Sequence, residues 1–370
     1  MLNSIYEAGI LRLHKIDIDG KVIAISLHGE FDLDDEEITS SLIKIIKAQR
    51  SFFNDLDFPY YSITLISGKK PFFMTGDKLN NSFSMIIPKD IDKRHYFTLF
   101  AHENLHNWIG GKIRNNEEEF LNYWWSEGFT EYHSRLLLAR SEVISFDEFI
   151  VECNELIKDY YLSPVLNITN AQIKEDYWEN YEVLKLPYNR GFVFAIHLNH
   201  LIKKNNHTKS LDNVLLDLFK AAKQEKFSAD LFKKIVKTYL PSGIETEIAE
   251  YINNGKTIEL NLVMKDLPLE KIKTGRYDLG FDKQVFLTSN IIRNIDINSN
   301  AYKAGLREGD KATEFNIPKG RNSNEIVTIT INNKTFKFKP ENPHKKIIYQ
   351  FKKNLSDEEK LQIKNFFGIN

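Results

Sequence analysis

Ala101-His-Glu-Asn-Leu-His-Asn-Trp108 is the stretch on which the fold and the chemistry turn. Histidines four residues apart are separated by about 40° around a helix axis, so both imidazoles leave the same side. Glu103, about 60° from His106, reaches the same region without having to ligate. Zinc suits imidazole nitrogen and carboxylate oxygen, and a catalytic zinc takes three protein ligands. His102 and His106 therefore need a partner. Tyr123-Trp-Trp-Ser-Glu127-Gly-Phe-Thr-Glu131-Tyr132 supplies one on a second predicted helix, with Glu127 placed 21 positions after His106. That interval leaves room for a turn and an antiparallel return. A lone His-Glu-x-x-His also arises by chance, as core-edge histidines beside a solvated glutamate; the paired Glu127 carries the metal reading. Glu131, one turn further on, is a candidate to accept from a ligating histidine, and otherwise an ordinary surface acid.

Upstream of this helix the chain is strand-rich. Residues 11–27 alternate apolar and polar about Asp19-Gly20, a two-residue hairpin turn. Ile38, Leu42, Ile45, Ile46 and Phe53 recur at helical spacing after an acidic start at Asp34. Residues 61–66, 72–74 and 83–87 read as strands, and Pro88 closes the region. Downstream, helices are predicted over 93–109, 124–140, 145–160, 188–204, 208–224 and 228–239, with Pro187 just ahead of the fourth. Near 262–275 the pattern turns to short strands, including 325–331 and 334–339 about an Asn332-Asn333 turn. An α+β chain follows, with a strand-rich part at 1–90, a helical part at 91–265 and a β-rich domain at 270–370.

Composition removes several alternatives. Fifty basic residues against 51 acidic ones leave no excess to attract a phosphate backbone, so nucleic acid is not expected as a partner. The single cysteine, Cys153, excludes an intrachain disulfide and a thiolate zinc cluster. No stretch approaches the roughly 18 apolar residues of a membrane helix, and the first residues lack a signal-peptide pattern. A cytoplasmic protein without a membrane partner is the expectation.

His102-Glu-Asn-Leu-His-Asn-Trp108, Trp125-Ser-Glu-Gly-Phe-Thr-Glu-Tyr132 with Leu136-Leu-Leu-Ala-Arg140, and Pro187-Tyr-Asn-Arg-Gly191 stand in order over about 90 residues. Together they resemble the gluzincin peptidases related to aminopeptidase N and leukotriene hydrolase. Within these they are most similar to the glycyl aminopeptidase family that carries a PDZ domain. The resemblance implies a thermolysin-like catalytic domain, a small mixed sheet plus a helical bundle, followed by a PDZ-like domain. It implies one Zn2+ per chain on His102, His106 and Glu127, with Glu103 activating water and Tyr188 hydrogen-bonding the oxyanion. Two departures stand out. Relatives begin with a large β-sandwich domain, which is not apparent here. They also carry a Gly-x-x-Glu strand whose glutamate binds the substrate's free amino terminus, whereas Met74–Ser82 offers Lys78 or Leu79 at that position and Asp77 as the nearest acid. Asp77 and Lys78 are therefore the substrate-binding candidates.

Tyr277-Asp-Leu-Gly-Phe281 and Ala301-Tyr-Lys-Ala-Gly-Leu-Arg-Glu-Gly-Asp310 resemble the carboxylate loop and a glycine turn of PDZ domains, which capture a peptide C-terminus. Peptide-bond hydrolysis, aminopeptidase-like, is the first reading of the whole chain, with a peptide as substrate. The alternatives are a non-hydrolytic peptide-binding protein built on the PDZ-like module and a zinc hydrolase of a non-peptide bond.

Overall fold

The computed structural model describes residues 8–18, 20–58, 60–68, 75–79, 81–89, 92–318, 323 and 325–370. Asp19 of the expected hairpin turn and the expected strand at 72–74 lie outside the described residues. Alternation of apolar residues builds the first sheet. Strands β1 (Arg12–Ile18) and β2 (Lys21–His28) pair antiparallel, and Gly20 takes φ 75°, which the turn between them requires. Helix α1 (Asp35–Phe53), capped by the Asp34 side chain on Glu37 N, then crosses over. Strand β3 (Tyr60–Gly68) returns parallel to β2, β5 (Ser82–Pro88) lies parallel to β3, and β4 (Thr75–Leu79) runs antiparallel to β5 at the sheet edge. The order is β1-β2-β3-β5-β4. The register aligns Ile23, Ile25 and Leu27 with Tyr61, Ile63 and Leu65, and these with Phe83 and Met85, as one buried face.

Helix α2 (Lys93–Leu105) packs on that face through Phe100, whose ring lies 5.2 Å from Phe83. After it come α3 (Tyr123–Ser126), α4 (Gly128–Arg140), α5 (Phe146–Leu162), α6 (Asn170–Asp176), α7 (Tyr181–Asn205), α8 (Leu211–Ala221) and α9 (Ala229–Tyr239). Two expectations need correction here. The stretch predicted as one helix over 124–140 is two, broken at Glu127. Helix α7 starts seven residues before Tyr188, because Asn180 Oδ1 accepts from Glu182 N and the early turns bury Val183 and Leu186. Pro187 thus stands inside the helix, where it forgoes one backbone donor.

The chain divides into two units, Met1–Glu270 with Gln350–Asn370, and Lys271–Tyr349. Strand β6 (Leu269–Thr274) pairs with the later strand at Lys346–Phe351. In the second unit, α10 (Lys283–Ser289) and α11 (Asn300–Ala304) precede an antiparallel sheet of β7 (Glu314–Asn316), β8 (Val327–Ile331) and β9 (Lys334–Phe338). Asn332 and Asn333 both take positive φ at the β8–β9 turn. Leu279 and Phe281 of the loop motif are buried with Phe286, Ala301 and Leu306. Gly280 N donates to Asp278 Oδ1 at 2.7 Å, which leaves that loop one amide fewer for a carboxylate.

The last strand, β10 (Lys346–Phe351), is followed by α12 (Asp357–Phe367). Against the expected boundary of 270–370, residues 350–370 belong with the first unit. Phe367 lies 4.9 Å from Phe149 ring to ring, its carbonyl accepts from Arg140 Nη2 at 2.6 Å, and Asn199 Nδ2 donates to Phe366 O. The apolar side of α12 has its core on the first unit, and burial decides membership. Among the described residues no helix is long and apolar enough to cross a membrane.

Candidate metal centre and active site

Buried amides fix the histidine helix to its surroundings. Gln49 Nε2 of α1 donates to Ala101 O at 2.7 Å, and Asn104 Nδ2 donates back to Gln49 Oε1 at 2.6 Å. Asn107 Nδ2 donates to the Tyr61 hydroxyl, and Trp108 Nε1 and Lys112 Nζ both donate to Asp55 Oδ2. Sequence reasoning passed over Gln49, Asp55 and Tyr61, which carry no motif and act only through the tertiary fold.

Helix α2 ends at Leu105, and His106 is its C-cap, still in right-handed helical geometry. The predicted extension to 109 gives way to a turn, and the turn is useful: His106 Nδ1 lies 3.1 Å from Ile109 O. Donation there leaves Nε2 with the lone pair a metal requires. Across from α2, Glu127 occupies the break between α3 and α4. The break is held by a close crossing with α7. A Cβ on Gly128 would sit 2.3 Å from Gly191 Cα, and one on Gly191 would sit 1.9 Å from Trp124 O, so both positions admit glycine alone.

These placements bring His102 Nε2, His106 Nε2 and Glu127 Oε2 together at mutual distances of 3.0, 3.2 and 3.4 Å. Donors held at about 2.0–2.1 Å by one tetrahedral ion lie roughly 3.3 Å apart, and two imidazoles with one carboxylate form a zinc-compatible set. The residues fit the ion. Burial alone would raise the Glu127 carboxyl, yet His106 and His102 hold it far below the carboxylate range, so it stands ionised as a ligand must. Burial alone would lower His106, yet Glu127 and Glu103 lift it to about 9, so an ion binding there has to displace a proton from the ring. Among the described residues this is the one group of three that could hold a metal ion.

Glu131 Oε1 lies 3.4 Å from His102 Nδ1, on the side of the ring away from Nε2. Its other oxygen pairs with Arg135. Glu103 stands under β4, where Gly76 makes room: a Cβ there would be 3.1 Å from Glu103 Cγ. Alternation along β4 puts Lys78 on the same face as Gly76 and turns Leu79 to the other, where it is exposed. Lys78 Nζ donates to His106 O at 3.2 Å. Burial and the nearby Arg114 lower its pKa to about 8, against the pull of Glu103. Asp77 pairs with Ser84 through the backbone, and its side chain lies outside what is described.

Tyr188 stacks at 5.9 Å on the His102 ring and is hydrogen-bonded to the Tyr177 hydroxyl. Burial, then Glu127 and Tyr177, push its pKa far up, so the hydroxyl keeps its proton as a donor. Arg190, two residues on, is spent elsewhere, on the carbonyls of Leu166 and Ile168 at 2.8 and 2.7 Å.

The model of the M61 glycyl aminopeptidase family matches residues 95–184, a span that holds His102, Glu103, His106 and Glu127 and stops short of Tyr188. Leucine aminopeptidase 2 of Ajellomyces capsulatus is 24% identical over 230 residues, covering 58% of this chain and 33% of that protein. The leucine aminopeptidase 2 of Aspergillus niger is 23% identical over 239 residues, covering 61% and 34%. The crystal structure of an aminopeptidase N family protein from Idiomarina loihiensis matches 95% of this chain and 70% of its own, with a TM-score of 0.67 and 16% identity. The chain is aminopeptidase-like in sequence and in fold. This aminopeptidase-like chain spans about a third of the length of the curated relatives it matches. Its mixed helix-and-sheet architecture is that of the aminopeptidase N family neighbour.

Proposed function

We propose that the chain is a zinc-dependent peptidase whose metal is held by His102, His106 and Glu127. The observation that carries this reading is the convergence of those three donors within 3.0–3.4 Å beside Glu103. Bound there, zinc supplies a Lewis acid for the scissile carbonyl and a water of lowered pKa. The chain's own groups do the rest. Glu103 takes the proton of the attacking water on its carboxylate and passes it to the leaving amine. Tyr188 keeps its proton and donates a hydrogen bond to the oxygen that gains charge as the carbonyl carbon becomes tetrahedral. The Tyr177 hydroxyl gives Tyr188 a partner until substrate arrives. The His106 ring is set by the Ile109 carbonyl and the His102 ring is backed by Glu131.

The substrate is a peptide, as the aminopeptidase names of the relatives suggest. Metal analysis of the purified protein should find about one zinc per chain, and His102→Ala or Glu127→Ala should lose most of it. Zinc should also raise the unfolding temperature, since an ion that binds only the folded state stabilises it. A preparation that stays metal-free in excess zinc rejects the reading.

A further inference from the structure

Behind His102 four charged side chains from three helices alternate in sign. Glu131 of α4 faces His102 Nδ1 with one oxygen and Arg135 with the other. Arg135 Nε then meets Glu152 Oε2 of α5 at 3.3 Å, and Glu152 Oε1 meets Arg94 Nη1 of α2 at 3.4 Å. Arg94 ends the row near the surface, with Asp92 Oδ1 at 3.6 Å. Glu152 is 3% exposed and stands between these two guanidinium groups. We propose that Glu152 is a positioning residue for the metal centre, acting through Arg135 and Glu131 on His102, so that the row sets how tightly zinc is held.

The argument is one of shared charge. Arg135 is divided between two carboxylates, and whatever Glu152 takes is not spent on Glu131. A Glu131 less engaged by Arg135 leaves more negative charge against the His102 ring, which orients the ring and makes its Nε2 a better donor. Glu152→Gln removes one claimant, so Arg135 turns wholly to Glu131 and the support at His102 weakens. Arg94→Gln does the reverse: Glu152 loses its outer cation, leans on Arg135, and frees Glu131. The two substitutions break neighbouring ion pairs of the same row and are expected to move zinc affinity in opposite directions.

This inference rests on the zinc-site reading and is tested on binding, not on turnover. Zinc affinity of the full chain is measured by competition with a chelator for wild type, Glu152→Gln, Arg94→Gln, Glu131→Gln and the Glu131→Gln, Glu152→Gln double variant. Glu131→Gln and Glu152→Gln should each weaken zinc by about tenfold, and the double variant should be no weaker than Glu131→Gln alone. Arg94→Gln should bind zinc more tightly than wild type, and an unchanged affinity counts against the inference. If Glu152→Gln and Arg94→Gln weaken zinc alike, or the double variant shows the product of both losses, the row is only structural and the inference is overturned. If Glu152→Gln fails to fold, a weakened or unchanged Arg94→Gln alone overturns it and a tightened one upholds it. A wild type that binds no zinc removes the site reading and this inference with it, whereas a zinc-binding wild type with indifferent variants removes this inference only.

Discussion

A glutamine at position 103 keeps the shape of the side chain and loses the base. Glu103→Gln should retain zinc and fold and lose nearly all turnover, which metal analysis and steady-state kinetics on one sample will check. Tyr188→Phe removes a single donor to the developing oxyanion, a loss of roughly 100- to 1,000-fold in kcat with KM little changed. A fully active Tyr188→Phe would return that ring to simple packing against His102. Lys78 bears on which end of a peptide the site accepts. Its ammonium, 3.2 Å from His106 O on the face of β4 that also bears Gly76, disfavours a second ammonium nearby. An amino-acetylated peptide should therefore have a kcat/KM close to that of the free peptide. Lys78→Glu should shift the preference toward the free amine by tenfold or more. A strong preference for the free peptide that vanishes in Asp77→Ala would instead make Asp77 the amine's partner.

At the scale of elements, two helices are joined by a contact without side chains. Gly128→Ala places a methyl group 2.3 Å from Gly191 Cα, and α7 must move or α4 must bend. A loss of about 3 kcal/mol is expected, with zinc affinity falling as Glu127 shifts, measured as the denaturant midpoint and the chelator-competition constant. The candidate metal ligands could be singled out in the sequence because their spacing is local: His102 and Glu103 lie on the last turn of α2 with His106 as its cap, and Glu127 stands at the break between α3 and α4. The start of α7 was not, because Pro187 is the stronger signal for a helix start and the Asn180 cap the weaker. Glu131 and Arg135 could be paired from their i, i+4 spacing, but nothing in the sequence places Glu152 of α5 against them. Likewise the apolar stripe of α12 is visible, while the unit that buries it is a tertiary choice.

For the whole molecule, the three-helix charge cluster makes stability depend on pH. Burial first, and then Glu152, raises Glu155 to about 7, well above its value in an unfolded chain. The folded state binds more protons than the unfolded one between about pH 4.5 and 7, so this group's contribution to stability falls as pH rises through that window and stays lost above it. Glu155→Gln should flatten the profile and add about 2 kcal/mol at pH 8, an estimate reduced for the group's partial exposure, with no gain at pH 4. Urea midpoints at the two pH values decide it, and equal gains at both would mean that the carboxyl is solvated. The glycine crossing has a different bearing, on what could be made of this scaffold. Gly128 and Gly191 meet as two bare backbones, a spacer with no side chain to lengthen or trim. An engineer seeking a new substrate has nothing to select at those two positions. The search belongs on β4, an edge strand that takes no part in that crossing.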